Sequence, residues 1–164
     1  MTNTASISRL NHAVLYVRDL EVASTFYQEA FGMAEIARLG GRMAFLRAAG
    51  SDNHHDLGLA AVGANAPSPP PGATGLYHLA WQVPNIEDLA EIAARLANLN
   101  ALTGMSDHGA TKSLYGADPD GTEFEVMWLV PRDQWGEHEN SAVTLPLDLQ
   151  REVARFGATA GSAG

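Results

Sequence analysis

Apolar residues recur along this chain with two periods, and the changes of period mark out its elements. Residues 11–17 (NHAVLYV) are rich in strand formers and predict a β-strand, closed by Arg18-Asp19-Leu20. From Leu20 to Phe31 the spacing lengthens: Val22, Phe26, Tyr27, Ala30 and Phe31 recur at three- and four-residue steps, which is one face of a helix. Asp19 is placed to cap the first turn by accepting bonds from its free amides, and Gly32 to end the last turn. Ala34–Leu39 and residues 42–48 read as a hairpin about Gly40-Gly41, and residues 55–62 as a further strand. The predicted order is β-α-β-β-β.

Residues 63–75 (GANAPSPPPGATG) carry too many prolines, glycines and small residues to sustain helix or ladder. Beyond them the order repeats: a strand at 76–83, a helix at 86–99 capped near Asn85, a short strand near 102–105, and two strands within 113–130. Those last two flank Asp118-Pro119-Asp120-Gly121, in which proline presets φ and glycine is free to take a positive φ. Setting NHAVLYVRDLEVASTFYQEAF over YHLAWQVPNIEDLAEIAARLA places His12 on His78, an offset of 78 − 12 = 66 residues. The expected organisation is an N-terminal arm (1–8), a first βαβββ module (9–62), a linker (63–75), a second module (76–130) and a C-terminal extension (131–164). Within the extension, residues 146–156 predict a short amphipathic helix and the final GATAGSAG a disordered end. One module cannot cover both faces of a four-stranded sheet, so the fold class is α+β, with two paired βαβββ modules forming a cupped mixed sheet.

Composition narrows the partners. With 46% hydrophobic residues among 164, the chain can bury a real core. Ten Lys and Arg against nineteen Asp and Glu give 10 − 19 = −9, which argues against nucleic acid or an anionic membrane as partner. No cysteine is present, so disulfides are excluded. No apolar run has the form of a signal peptide or a membrane span, and a cytoplasmic protein is expected.

Candidate chemistry begins at Glu123–Leu129. Phe124, Val126 and Trp128 fall on one strand face, whereas Glu125 shares the other with Met127 and Leu129. A carboxylate between two large apolar residues is costly to bury without a partner, and a cation would serve. His12 shares its strand face with Val14 and Tyr16, and His78 shares its face with Ala80 and Gln82. Singly, a histidine at a strand start is more often a hydrogen-bonded structural residue than a ligand. Two repeat-equivalent imidazoles and one carboxylate on neighbouring strands instead compose a facial triad that leaves metal positions open for substrate and oxygen.

With these features the sequence resembles the vicinal oxygen chelate superfamily of glyoxalases, bleomycin resistance proteins and extradiol dioxygenases. The resemblance covers residues 9–130 and implies a divalent metal held by His12, His78 and Glu125. Within that superfamily it is strongest to the type I extradiol catechol dioxygenases. His55-Asp56 before an apolar strand is similar to the segment that carries their catalytic histidine; Tyr115 stands ten residues before Glu125 across the Asp-Pro turn, and His108-Gly109 precedes the penultimate strand. The resemblance implies His55 as acid and base, Tyr115 as hydrogen-bond donor to a substrate oxygen, and His108 as stabiliser of a chelated catecholate. Ordinary alternatives stand beside these roles: an exposed His54-His55 loop pair, a core tyrosine at 115 and a surface histidine at 108. His138 has no role.

The expected function is a small Fe(II)-dependent extradiol ring-cleavage dioxygenase, with Mn(II) as the other candidate metal. Its partners would be an aromatic vicinal diol, O2 and further copies of the chain in a homodimer or larger homo-oligomer. Most enzymes of the dioxygenase group carry a second two-module copy, and this chain has one, so the tail, loops or another subunit would complete the pocket. If modules exchange between chains, the three ligands come from two subunits. Two rivals share the fold. A glyoxalase-like or epimerase-like lyase or isomerase would want a further carboxylate, for which Asp56 is the candidate near the repeat equivalent of Glu125. A metal-free drug binder would hold an aromatic ligand among Trp81, Phe124 and Trp128.

Overall fold

The computed structural model describes residues 5–70 and 72–158. Residues 1–4 of the expected arm, Pro71 of the linker and residues 159–164 of the expected disordered end lie outside the described residues. The described chain forms two compact units, Met1–Pro67 and Ser68–Gly164, divided within the Pro/Gly-rich stretch.

The first unit contains β1 (Ala13–Val17), α1 (Leu20–Phe31), β2 (Ala34–Leu39), β3 (Met43–Arg47) and β4 (Leu57–Ala61). Asp19 Oδ1 accepts from the amides of Glu21 and Val22 at 2.9 and 3.1 Å, so the predicted cap is in place. Gly32 takes φ 66°, where a Cβ would be strained, and the helix stops there. The four strands lie in the order β1-β4-β3-β2, with β1 parallel to β4 and the other pairings antiparallel. Leu15 and Val17 of β1, Leu46 of β3 and Leu57 and Leu59 of β4 are buried together with Phe26, Tyr27 and Ala30 of α1. Val14 and Tyr16, on the opposite face of β1, are exposed.

The second unit repeats this frame with β5 (Leu79–Val83), α2 (Ile86–Asn98), β6 (Leu102–Asp107), β7 (Thr111–Ala117) and β8 (Glu123–Leu129). Asn85 Oδ1 caps α2 by accepting from the Asp88 amide at 2.9 Å. The Asp118 turn closes as expected: the Gly121 amide donates to the Asp118 carbonyl at 2.9 Å, and Gly121 takes φ 86°. Phe124, Val126 and Trp128 are buried with Ile86, Leu89 and Leu96 of α2, so β8 alternates as its sequence predicts. Each such aromatic, moved out of water, contributes about 1.5–3 kcal/mol.

Register makes the repeat exact in places. Val14 pairs with Gly58 and Gly58 with Phe45, which pairs with Ala37; Ala80 pairs with Glu125 and Glu125 with Tyr115, which pairs with Gly104. Each hairpin carries one register shift, between Glu35 and Ala37 and between Leu102 and Gly104.

Two expectations change. The strand predicted near 102–105 runs on to Asp107, because β9 (Leu145–Pro146) pairs with Ser106 and Asp107 and adds a fifth strand, giving β5-β8-β7-β6-β9. The helix predicted at 146–156 is α3 (Leu149–Phe156); Pro146 is spent in β9 and Asp148 caps the helix at the Arg151 amide. α3 packs against α2, and Phe156 lies against Trp128 with ring centroids 5.0 Å apart. No described helix is long and apolar enough to cross a membrane.

Candidate functional site

Pairing puts Tyr115 directly across from Glu125, and His78 precedes the strand on Glu125's other side. All three side chains stand on the sheet face away from α2. His78 Nε2 lies 3.1 Å from Glu125 Oε2, with the side chains 24% and 14% exposed. A carboxylate in that setting is costly unless paired, so Glu125 has a partner, and it is one of the two imidazoles expected to share a cation with it. The second nitrogen of His78, Nδ1, is buried and makes no hydrogen bond.

The Tyr115 hydroxyl lies 2.8 Å from His108 Nε2 and 3.4 Å from Glu125 Oε1. His108 Nδ1 lies 2.7 Å from the Val143 carbonyl, which can only accept, so Nδ1 carries a hydrogen. In the neutral ring Nε2 is then an acceptor, so the single hydroxyl hydrogen of Tyr115 has two acceptors in reach, Nε2 at the shorter distance and Glu125 Oε1 at the longer. Burial, and after it the Glu125 charge, pushes the Tyr115 hydroxyl above the usual phenol range. The hydroxyl therefore keeps its proton at neutral pH and remains a donor.

In the first unit, His12 and His55 come together with ring centroids 4.5 Å apart, and Phe45 closes on His55 at 5.0 Å. His55 Nδ1 is 3.1 Å from His54 Nδ1. Burial, followed by the charges of His12 and His54, holds His55 below the usual histidine range, which favours the neutral ring a proton acceptor needs. His12 Nδ1 is bonded to Asn11 Oδ1 at 3.0 Å.

The six expected residues thus fall into two groups. His78, Glu125, Tyr115 and His108 form one connected cluster in the second unit; His12 and His55 pair in the first. Among the described residues, no group of three or more His, Cys, Asp or Glu side chains is placed to hold a metal. The donor set nonetheless suits one: imidazole nitrogen and carboxylate oxygen converge at Glu125, and borderline divalent ions accept both.

Several side chains depart from expectation. Asp56 lies near the repeat position of Glu125, as expected, but that position itself belongs to Gly58, which has no side chain, and the Asp56 carboxylate is committed elsewhere. Burial would raise the Asp56 carboxyl, but bonds from Ser51 Oγ, the Ala48 amide and Asn53 Nδ2 outweigh it and hold the group below the usual carboxylate range. Phe124 and Trp128, expected as walls for an aromatic ligand in the metal-free reading, are 2% and 6% exposed on the helix-covered face and belong to the core. A cavity of about 290 Å3, lined by Lys112, Trp135, His138 and Phe156 among others, shares no residue with the His78 and Glu125 pair. The sequence reading missed Asn11, Asn53 and Tyr77. Tyr77 lies against His78 at 4.8 Å, and its only signal was adjacency in the chain.

The chain is similar to known proteins in sequence and fold. A family model described as the Glyoxalase/Bleomycin resistance protein/Dioxygenase superfamily matches residues 9–126. Catechol-2,3-dioxygenase of Bacillus subtilis is 31% identical over 136 residues, covering 82% of this chain and 46% of that protein. Manganese-dependent 2,3-dihydroxybiphenyl 1,2-dioxygenase of Geobacillus genomosp. 3 is 27% identical over 142 residues, covering 84% of this chain and 42% of that protein. The chain spans about half the length of these curated relatives. Among solved structures, a glyoxylase/bleomycin resistance protein/dioxygenase domain from Frankia superposes with a TM-score of 0.67 at 24% identity, over 81% of this chain and 100% of that one. A fosfomycin resistance protein, FosX, from Listeria monocytogenes complexed with Mn(II) gives 0.62 at 23% identity, over 82% of this chain and 100% of that one. At these identities the structural matches show the fold.

Proposed function

Because this chain belongs to the Glyoxalase/Bleomycin resistance protein/Dioxygenase superfamily, we propose that it is a metal-dependent dioxygenase that opens an aromatic vicinal diol beside its hydroxyl groups, incorporating both atoms of O2. The observation that carries the reading is the connected row His78, Glu125, Tyr115 and His108, in which a candidate ligand pair adjoins a protonated hydroxyl backed by an imidazole. The names of the curated relatives, catechol and dihydroxybiphenyl dioxygenases, point to the same substrate class.

His12, His78 and Glu125 are the residues that would hold Fe(II), or Mn(II) as its alternative. The chemistry expected of that ion is chelation of the diol and activation of O2. The chain's own groups do the rest. Burial favours the neutral ring of His55, which is the group that takes a proton from a diol hydroxyl. Tyr115 turns its hydroxyl hydrogen from His108 Nε2 to a substrate oxygen, and the bare Nε2, released from that bond, is free to accept a proton. Val143 keeps the His108 ring turned so that Nε2 faces the hydroxyl. The exposed apolar residues Ile7, Leu10 and Tyr16 support an assembly of more than one chain.

A lyase or isomerase at the same triad is less well supported, since Asp56 is committed to Ser51, Ala48 and Asn53. Anaerobic loading with Fe(II), then air and a panel of monocyclic and bicyclic catechols, should give the yellow ring-fission product with matching O2 uptake. His55→Gln should lower turnover by about 10²- to 10⁴-fold with the metal retained. A loaded protein that turns over none of the panel overturns the reading.

A further inference from the structure

We propose that Asn11 and Asn53 are positioning residues that decide which nitrogen of His12 carries its hydrogen, so that Nε2 is left bare to bind a metal ion. The inference rests on the reading of His12 as a ligand and extends it to a relay of four side chains within the first unit.

The relay starts at a group that can only accept. The Asp56 carboxylate receives the Ala48 amide at 2.9 Å, Ser51 Oγ at 2.7 Å and Asn53 Nδ2 at 2.8 Å. Asn53 must therefore turn its amide nitrogen toward Asp56. The same nitrogen donates to the Asn11 backbone carbonyl at 2.9 Å, a second acceptor. On its other side Asn53 Oδ1 accepts from Arg9 at 2.7 Å and from Asn11 Nδ2 at 3.0 Å. A guanidinium can only donate, so Arg9 and Asp56 hold Asn53 in one orientation from opposite ends. All four bonds of its amide are made; reversing it would set oxygen against carboxylate and carbonyl, and nitrogen against guanidinium.

That orientation passes to Asn11. Its Nδ2 is drawn to Asn53 Oδ1, so its Oδ1 is the atom presented to His12, 3.0 Å from Nδ1. An amide oxygen can only accept, so Nδ1 bears the hydrogen and Nε2 of the neutral ring keeps its lone pair. A metal-binding histidine typically has its other nitrogen fixed in this way. His78 offers a contrast within the same chain, because its Nδ1 is buried without a partner. Of the two histidines proposed as ligands, His12 is the one whose second nitrogen has a partner that sets the tautomer. The residues responsible sit 42 positions apart in sequence, on the strand start and on the loop before β4.

Two readouts on the full chain test this. In metal-free protein with neutral imidazoles, long-range proton–nitrogen NMR correlations should find His12 protonated on Nδ1. Asn11→Leu and Asn53→Ala should lose that preference and weaken Mn(II) binding, followed by electron paramagnetic resonance, by about 10- to 100-fold. Asn11→Asp, which still can only accept from His12, should retain the Nδ1–H form and bind Mn(II) more tightly than Asn11→Leu. Protonation of native His12 on Nε2 overturns the proposal, as does native Mn(II) affinity in Asn53→Ala. Weakened binding with the tautomer intact marks a merely structural role and also overturns it. His12→Ala separates the two levels: unchanged Mn(II) affinity there sinks the ligand reading and the relay with it, whereas loss there beside native affinity in Asn53→Ala sinks the relay alone.

Discussion

The two modules share a frame and differ in what they place at its centre. Across the open face of the first sheet runs Val14, Gly58, Phe45 and Ala37; across the same row of the second runs Ala80, Glu125, Tyr115 and Gly104. Gly58 and Phe45 present no titratable group. Glu125 and Tyr115, in the same two positions, present a carboxylate and a hydroxyl within reach of two histidines. The helix-covered face shows the reverse economy of volume. Leu46 opposite Leu57 in the first unit is matched by Gly116 opposite Phe124 in the second, where the phenyl ring occupies the space that a side chain at 116 would take. A Cβ at Gly116 would sit 2.4 Å from Phe124 Cζ and 2.4 Å from the Ala101 carbonyl oxygen. One architecture thus tolerates different side chains row by row, provided neighbours on the core face fit one another and chemistry is confined to the open one.

The most severe break in the comparison is Glu125→Gln, which keeps the shape of the side chain and removes its charge. Mn(II) affinity is expected to fall by more than about 100-fold, beyond the range of a supporting residue, with the proposed ring-cleaving activity lost. Equilibrium dialysis against Mn(II) reads the first effect, and a fold preserved by circular dichroism ascribes it to the site. Next comes Tyr115→Phe, which gives the second unit the residue type that the first carries at Phe45. Turnover should drop by about 10²-fold while metal stoichiometry stays native; a variant as active as the parent would remove the hydroxyl from the mechanism.

Smaller effects test the core rows. Leu46→Ala opens a void and should cost about 2–5 kcal/mol, whereas Gly116→Ala adds volume against backbone and should cost about 1–3 kcal/mol, both from urea unfolding. Equal tolerance of the two changes would contradict this difference in packing between the modules. The smallest effect concerns Asp56. Its folded carboxyl is held below the ordinary value, so the stability it contributes is present above about pH 3.9 and is lost as pH falls through the lower folded value. Asp56→Asn should lower the urea midpoint at neutral pH and flatten its decline in acid.

Much of this was legible in the chain itself. Caps at Asp19 and Asn85, the stop at Gly32, the Asp118 turn and the alternation of Glu123–Leu129 are local features, set by neighbours within a few residues, and the structure places them where the pattern does. The 66-residue repeat made His12 and His78 equivalent before any strand was paired. Register across strands adds what nearness in sequence does not: Asp56 lies near the repeat equivalent of Glu125, as expected, and pairing gives the equivalent place itself to Gly58.

What the sequence determined by itself, then, is the list of elements, their repetition and the residue types able to hold a metal, because periodicity and turn chemistry act over short distances. Tertiary structure decided which groups meet. Only strand pairing could bring the Tyr115 hydroxyl between His108 and Glu125, and only the loop before β4, folding back on the start of β1, could join Asp56, Asn53 and Asn11 into a line ending at His12. Hydrogen bonds between such distant residues leave no period in the sequence, since either partner alone is an ordinary polar residue.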